Sequence, residues 1–352
     1  MLLRNPAAAR STLATRGVTA IAVSCRVRLA RNLRGLKFPD WASEAERQRV
    51  FEEVAPWLSS EAGIDGARIV PVGDLDEPTR DLLRERHLIS RELSERGPGS
   101  GLVVSADERV AVMINEEDHL RVQVIERGMD LHRAWAAADA LDARMEERFD
   151  YAFSPRLGFL TACPSNVGTG LRASVMVHLL GLRLTNDLDA ALRALERLRL
   201  TVRGVGGEGS DAVGHMFQIS NQETLGEKEP EIIDALLETV GDLAHQERNA
   251  RLRLQRDTPE VLLDCVSRAL AIIQSARIME TGEALDYLSA LRLGLEMGLV
   301  RRLTVAELDA LTLGIQPGHL QRGMGRALEP ARRDVVRAQA MRKMLANVTL
   351  RG

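Results

Sequence analysis

LTVRGVGGEGSDAVGHMFQISN, residues 200–221, decides the fold. Within it GVGGEG, residues 204–209, has the GxGxxG spacing of a dinucleotide-binding loop. Such a loop needs a strand before it and a helix after it. LRLTVR precedes it as a strand, but HMFQIS follows, and that stretch reads as a second strand. A glycine loop between two strands either lets backbone approach a ligand or is a plain hairpin turn.

Outward from this hairpin the same pattern recurs. VTAIAVSCRVRL, residues 18–29, is β-rich and ends in alternation, so Arg26 and Arg28 point to one face of a strand. GLVVSADERVAVMIN, residues 101–115, reads as a hairpin whose second arm is Arg109–Asn115, and residues 157–162 as a short apolar strand. Helices are expected over 43–58, 78–95 (carrying His87), 128–149, 187–197 and about 229–255, with another from about Ala173 carrying Val175, Met176, Leu179 and Leu180. Helices do not alternate with every strand, which disfavours a doubly wound parallel sheet.

The character changes near Thr258, with Pro259 suited to a first helical position. Leu262, Cys265, Ala269, Ile272 and Ile273 have helical spacing, and Glu283–Met297 repeats it before Gly298. Thr304 and Glu307 form a capping box, Gly314 ends that helix, and Glu329 and Pro330 open a last one. A helical domain of four helices is expected over 257–352, after an α+β domain over 21–256 and a basic tail over 1–20. In that tail Arg4, Arg10 and Arg16 precede the first acid, Asp40, and no apolar stretch marks a secretory signal.

Composition excludes several function classes. A net charge of −3 over 352 residues gives no global attraction to nucleic acid or membranes. No apolar run approaches the ~18 residues of a membrane span. Cys25, Cys163 and Cys265 are far apart without CxxC spacing, which argues against disulfides and a zinc site and for the cytoplasm. Lys37, Lys228 and Lys343 are the only lysines among 47 Lys and Arg. No GxxxxGK[ST] or VAIK-like strand exists, so any nucleotide is handled without a P-loop or the eukaryotic protein-kinase apparatus.

NEEDHLR, residues 115–121, places acids, a histidine and an arginine at a strand end. It is either a solvated turn or a carboxylate base beside a cationic clamp. Glu117 and Glu208 are the acids most tightly set among turns and glycines next to arginines. Arg26, Arg28, Arg121, Arg172 and Arg203 each sit at a strand end or in a loop. Singly each could be a surface residue; together they suggest a polyanion pocket, for which the guanidinium fork is suited. Cys163, in CPSNVGTGLR (163–172), is either a small buried residue or a thiolate favoured by nearby arginines, without an evident base partner. His87 is by default a surface or packing histidine.

Four segments carry a resemblance. SCRVRLARNL (24–33) resembles the STRVR segment of the phosphagen (guanidino) kinases, NEEDHLR matches their signature, and LGFLTACPSNVGTGLRASV (157–175) resembles their LTxCPTNLGTxxRASV segment. VRGVGGEGSDAVGHMFQISNQETLG (202–226) resembles their RGxxGEHTE…YDISN segment. The segments occur in family order. RDVVRA, residues 333–338, is similar to the RDxxRA phosphoarginine-binding motif of the family's bacterial protein-arginine kinase (McsB) branch. The STRVR-like motif begins at Ser24, so the helical N-terminal domain of the small-molecule guanidino kinases is expected to be missing.

The resemblance implies an antiparallel, glutamine-synthetase-like sheet flanked by helices, plus a C-terminal helical bundle. It implies ATP and Mg2+ as cofactors, with Arg26, Arg28, Arg121, Arg172 and Arg203 on the phosphates and His87 near the adenine. Glu117 and Glu208 would hold and deprotonate the acceptor guanidinium, and Cys163 would contact it. The glycines of 163–172 would let that loop approach the nucleotide. Arg333, Asp334 and Arg337 would bind phosphoarginine. The branch implies protein substrates with exposed arginines, a Clp-type protease downstream, a zinc-binding activator protein, a homodimer or larger assembly, and no direct nucleic-acid or membrane partner. A kinase for free arginine or another small guanidine, and an inactive phosphoarginine-binding adaptor, are the alternatives. Ser165 and Ser210 stand where the family often has threonine, Asp211 where it has glutamate, and SPRL (154–157) departs from the branch's polar lead-in.

Overall fold

The computed structural model describes residues 21–205 and 212–351; the basic tail and Glu208 lie outside them. Its strands are β1 Ala22–Arg31, β2 Arg68–Pro71, β3 Gly101–Val104, β4 Val110–Ile114, β5 Leu120–Arg127, β6 Phe153–Ser154, β7 Gly158–Phe159, β8 Leu171–His178, β9 Leu200–Gly204, β10 Met216–Asn221, β11 Val300–Arg301 and β12 Thr349–Leu350. Eight of them form one sheet in the order β2-β3-β4-β5-β1-β8-β10-β9, antiparallel throughout. The expected antiparallel α+β architecture is therefore borne out, and GVGGEG joins two paired strands.

Period-two alternation gives the central sheet two unlike faces. Cys25, Val27 and Leu29 on β1, Val122 and Val124 on β5, Val175 and Val177 on β8, and Phe217 and Ile219 on β10 share one buried apolar face. Helices α1 (Glu44–Ser60), α4 (Leu131–Arg148) and α7 (Glu229–Asp257) cover that face. Each fully buried aliphatic side chain there contributes about 1.5–3 kcal/mol. The opposite face carries Arg26, Arg28, Arg121, Arg172 and Arg203. A register slip of one residue in β1 would exchange its two faces, so the apolar core also fixes where the arginines point.

At the β3–β4 side the arginine-bearing face is closed by α2 (Glu77–Glu85) and α3 (Arg91–Ser94), through Leu83, Leu93, Leu102 and Met113. The single helix expected over 78–95 is thus two. His87 lies between them in a left-handed turn (φ 58°), and Ser90 caps α3 by accepting from Leu93 N at 3.0 Å.

The helix expected from Ala173 is strand β8. Val175, Met176, Leu179 and Leu180 fit a helical period, but Val175 and Val177 are β-branched and β8 is paired on both sides, by β1 and β10. Tertiary pairing overrides the local pattern; α5 (Leu180–Leu184) begins only after the strand and is followed by α6 (Leu188–Arg197). The strand expected over 157–162 shrinks to β7, paired with β6.

Beyond residue 257 the described residues form five helices, not four: α8 Pro259–Ser275, α9 Thr281–Glu296, α10 Val305–Gly314, α11 Pro317–Met324 and α12 Pro330–Leu345. The capping box is present: Thr304 Oγ1 accepts from Glu307 N at 3.2 Å and Glu307 Oε2 from Thr304 N at 2.8 Å. The extra helix, α11, carries Pro317 at its start and Gly325 at φ 67° at its end, a legible pair of signals. Its first amides, Gly318 N and His319 N, donate to the Glu85 carboxylate of α2 at 2.6 and 3.0 Å. A second junction is buried. Glu247 on α7 accepts from Gly181 N (2.8 Å), Leu182 N (2.7 Å) and Arg251 Nε (2.6 Å). Arg251 also pairs with Glu296 of α9 and donates to His178 O at 3.1 Å. Removing one partner of such a buried pair costs about 3–5 kcal/mol. Among the described residues no helix is long and apolar enough to cross a membrane.

Candidate active site

The register of the sheet assembles the arginines. Arg28 on β1 lies opposite Arg172 on β8. Arg121 on β5 lies opposite Ala30, two residues along β1 from Arg28 and so on the same face. Arg203 on β9 lies opposite Gln218. A cavity of about 210 Å³ opens on this face, lined by Arg28, Arg121, Arg172 and Arg203 together with Glu117 and Cys163. A smaller cavity beside it on β1 is lined by Arg26, His87, Ser174, Met176 and Gln218. The structure thus brings together eight of the sequence-selected residues in two neighbouring cavities. Glu208 lies outside the described residues. Its flanks are drawn together by Val213 N donating to Val205 O at 2.9 Å, and Gly214 N donates to Asp286 Oδ1 of α9 at 2.7 Å.

The electrostatics of the arginine-bearing face are unbalanced. Arg26 donates to Gln218 Oε1 at 2.8 Å and Arg172 to Ser220 Oγ at 3.1 Å, both neutral partners. Arg28 Nε is buried with no hydrogen-bond partner. Burial, then Arg121 and Arg172, pulls Arg26 down to about 10. Burial, then Arg26, Arg121 and Arg172, holds Arg28 well below the usual guanidinium range. Arg172 is lowered by burial and then by Arg203 and Arg121. Arg121 differs: burial opposes its charge, but Glu116 and Glu117 outweigh that and raise it. Buried like charges with an orphaned donor are complementary to a polyanion, and a nucleotide triphosphate fits that donor set.

NEEDHLR divides its labour. Asn115 takes a left-handed turn (φ 57°) and its amide donates to Arg47 O and Gly99 O at 2.8 and 2.7 Å. Glu116, fully buried, accepts from Arg121 Nη1 at 2.5 Å. Glu117 accepts from Arg121 Nη2 at 2.7 Å and is the only member besides Arg121 to line the cavity. Asp118 accepts from Asn32 Nδ2 (2.6 Å) and Ala162 N (2.7 Å), which fixes the backbone just before Cys163. His119 Nδ1 accepts from Leu33 N at 3.2 Å and its Nε2–H donates to Lys37 O at 3.0 Å. The motif is a built turn with one carboxylate aimed at the cavity, not a solvated one.

His119 must be neutral to make both bonds. Burial takes it down to about 4, against the opposing pull of Lys37 O. His178, whose Nε2 lies 2.7 Å from Ser289 Oγ, is likewise lowered by burial and then by Arg251. A lowered folded-state pKa stabilises the fold above the unfolded value of about 6.5, and this is lost as pH falls towards the folded value. His119 alone should lose about 2 kcal/mol between pH 7 and 5. Burial raises Glu116 and Asp118, which act in the opposite sense, so the diagnostic is a difference. The thermal midpoint of the parent should fall more steeply from pH 7 to 5 than that of His119→Gln. Parallel profiles would reject the neutral, doubly bonded His119.

The CPSNVGTGLR loop forms one wall of the cavity. Cys163 Sγ is 3.0 Å from Ser165 Oγ, and both line the cavity with Asn166. Two of its glycines also pass close to protein backbone. A Cβ on Gly168 would stand 2.3 Å from Thr224 O, and one on Gly170 2.6 Å from Ala30 O. They allow the loop to pack closely on its own chain, while Gly170 also lines the cavity. Behind Gly170, Arg31 is sandwiched on the apolar face: it pairs with Asp142 at 2.6 Å, donates to Thr169 O at 2.9 Å and lies 3.6 Å from the Phe159 ring centroid. Sequence reasoning missed Arg31, although its odd spacing from Arg28 already placed it on the core face, where a cation needs partners. It also missed Glu92, which reaches the cavity from α3.

On α12 the motif RDVVRA is turned partly inward. Arg337 is 1% exposed, with Nε donating to Ile315 O (2.9 Å) and Nη1 to Met279 O (2.8 Å) and Asp334 Oδ1 (2.5 Å). Arg333 is half-buried and near Asp81 of α2, whose carboxyl burial raises against the opposing pull of Arg84 and, more weakly, of Arg333.

The likeness to known proteins follows the same lines. The profile of the ATP:guanido phosphotransferase C-terminal catalytic domain matches residues 49–250, and that of the protein-arginine kinase McsB C-terminal domain matches residues 259–351. Lombricine kinase shares the fold with a TM-score of 0.55 at 28% identity, over 65% of this chain and 67% of that one. The duplicated taurocyamine kinase from Schistosoma mansoni with bound transition-state-analogue components shares it with a TM-score of 0.61 at 24% identity, over 76% of this chain and 40% of that one. The chain belongs to the ATP:guanido phosphotransferase family, whose enzymes move a phosphoryl group between ATP and a guanidino nitrogen. Within that family it belongs with the protein-arginine kinases. Those of Pelotomaculum thermopropionicum and Bacillus subtilis are 42% and 41% identical to it, covering 93% and 92% of this chain and 93% and 90% of their own.

Proposed function

We propose that this chain transfers the γ-phosphoryl group of ATP to arginine side chains of proteins, giving N-phosphoarginine. The observation that carries this is the polarity of one cavity: mutually repelling arginines share it with Glu117 and Cys163. A polyanion and a cation can be held there side by side. A free guanidinium, with a pKa above about 12, is no nucleophile. Glu117 and Glu208 would align it and accept one N–H proton as the N–P bond forms and the bond from Pγ to the ADP oxygen breaks. The transferring group passes through a loose transition state, so Arg26, Arg28, Arg121, Arg172 and Arg203 would contribute positioning and charge neutralisation. Mg2+ arriving with the nucleotide would neutralise phosphate charge, held mainly by phosphate and water, with Glu92 and Glu117 the carboxylates on the cavity wall. His87 would stand at the adenine and Cys163 against the acceptor.

In this reading residues 21–256 are the catalytic domain and 257–352 a phosphoarginine-binding and dimerisation domain. The product would be a degradation mark for a Clp-type protease in cytoplasmic protein quality control, with a zinc-binding activator as partner. The test is an assay with Mg-ATP offering an unfolded protein and free arginine side by side, read by mass spectrometry at neutral pH. Phosphoarginine on the protein is expected; label on free arginine alone would make this a small-guanidine kinase, and label on neither an adaptor. For the helical domain, calorimetric titration with free phosphoarginine should show binding that Arg333→Ala weakens. Unchanged affinity would remove Arg333 from the pocket.

A further inference from the structure

The chain between β9 and β10 returns to the sheet through Ala212–His215. In that turn Gly214 and His215 take consecutive left-handed conformations, φ 65° and 54°. Glycine adopts this freely; a histidine seldom does, and it persists there where its surroundings hold it. Part of the hold comes from the C-terminal helices. On α9, Asp286 and Ser289 are three residues apart and so share one face. Asp286 Oδ1 accepts from Gly214 N at 2.7 Å, and Ser289 Oγ lies 3.2 Å from His215 Nδ1. A Cβ on Gly214 would stand 3.4 Å from Leu285 O, so the turn lies against the α9 backbone. Ser289 is itself fixed. Arg251 Nη2 donates to His178 Nδ1 at 3.2 Å, which leaves the His178 proton on Nε2, 2.7 Å from Ser289 Oγ. The Ser289 hydroxyl proton then remains for His215 Nδ1. Burial lowers His215 against the opposing pull of Asp286, which keeps that nitrogen an acceptor.

The turn held in this way is tied to the cavity. Val213 N donates to Val205 O at 2.9 Å and Val205 N to Met216 O at 3.0 Å, so the turn and the end of β9 are fixed together. Arg203 of the cavity wall stands two residues before Val205, and Glu208 falls between Val205 and Ala212 in the sequence. We propose that Asp286 is a positioning residue for phosphoryl transfer: through the Gly214 amide, a C-terminal helix sets the turn on which the catalytic placement of Glu208 depends. The proposal rests on the protein-arginine kinase reading of the cavity. Apolar packing alone would join α9 to the sheet; a carboxylate on a backbone amide adds a fixed distance and direction. Asp286 touches no reacting atom, so its contribution is geometric, and misplacing a reacting group by about 1 Å costs up to about 10²-fold in rate. Arg26, Arg28, Arg121 and Arg172 are placed by the register of β1, β5 and β8. Nucleotide binding should therefore be spared while the transfer step suffers.

The test compares the full-length parent with Asp286→Ala and Asp286→Asn. Asparagine keeps an oxygen that accepts from Gly214 N, so it separates this hydrogen bond from the rest of the side chain. Asp286→Ala is expected to slow single-turnover transfer from Mg-ATP to an unfolded protein by about ten- to a hundredfold, with ATP affinity within about twofold of the parent. Asp286→Asn should stay within about threefold in both. In a Glu208→Ala background, Asp286→Ala should cost no more than about twofold further, because nothing is left to position. Hydrogen exchange at the Gly214 amide should accelerate by about tenfold or more in Asp286→Ala and not in Asp286→Asn. Equal losses in the alanine and asparagine variants, a full additive loss on top of Glu208→Ala, or unchanged exchange at Gly214 would each overturn the proposal. A fall in ATP affinity that matches the fall in transfer would make Asp286 a structural residue of the fold, which also overturns it. A parent that phosphorylates no acceptor would sink the kinase reading and the proposal with it; an active parent with an unaffected Asp286→Ala would sink the proposal alone.

Discussion

Glu117→Gln is expected to lower phosphoryl transfer by about 10²–10⁴-fold while ATP binding is kept. Glutamine is isosteric and its side-chain oxygen can still accept from Arg121 Nη2, now 2.7 Å from the Glu117 carboxylate. Arg121 also keeps its bond to Glu116 at 2.5 Å, so the phosphate side of the cavity should hold its shape. What disappears is a negative charge that attracts the acceptor guanidinium and a base that accepts its proton. The cavity becomes more positive, so nucleotide affinity should be unchanged or a few-fold tighter. Single-turnover transfer to an unfolded protein, with a parallel nucleotide titration, separates the two effects. Loss of ATP affinity in step with transfer would mean that Glu117 serves only to orient Arg121. A rate within about threefold of the parent would remove it from the chemistry altogether. Glu208→Ala should resemble Glu117→Gln in transfer.

The parts of this site that were legible in the sequence are those whose cause is local. Arg26 and Arg28 are two apart on a β-branched stretch, and alternation alone puts them on one face. The hairpin reading of 200–221 needed only the strand-like HMFQIS after the glycines. Family-like motifs then joined five scattered arginines into one site. The parts not legible depend on contacts distant in the chain. Strand β8 looked helical because its pairing with β1, about 150 residues earlier, has no local signature. Within NEEDHLR nothing local says that Asp118 holds Ala162 or that His119 holds Leu33 and Lys37, so the motif looked equally like a solvated turn. The contacts of Gly168 with Thr224 O and of Gly170 with Ala30 O were not legible, because a glycine reveals that something comes close, not what. Glu92 lies on a four-residue helix and enters the cavity only because α3 folds over the sheet.

Arg28→Met should make the nucleotide-free protein more stable and the enzyme much worse. Arg28 is held below its usual protonation range by burial and by three neighbouring arginines, and its Nε has no partner. An uncompensated buried cation costs stability, and an apolar residue of similar length removes that cost; comparable replacements are neutral or stabilising by about 1–4 kcal/mol. A domain of this size shifts its thermal midpoint by roughly 2–4 °C per kcal/mol. Relief should extend to the neighbours, since Arg28 shares its face with Arg26, Arg121 and Arg172. The same substitution removes a charge-assisted donor for phosphate, so ATP affinity should fall by about ten- to a hundredfold. The stabilisation that ATP confers scales with the logarithm of its concentration over Kd, so it shrinks in the variant. Melting curves of parent and variant should therefore cross over: the variant melts higher without ATP, the parent higher with it. A variant that melts lower without nucleotide yet keeps its full ATP-induced shift would mean that Arg28 is a structural residue. The crossover, by contrast, would show that the unfavourable charge density of the free protein is the source of its affinity for a polyanion, because the energy released when phosphate neutralises these arginines is the energy the empty cavity lacked.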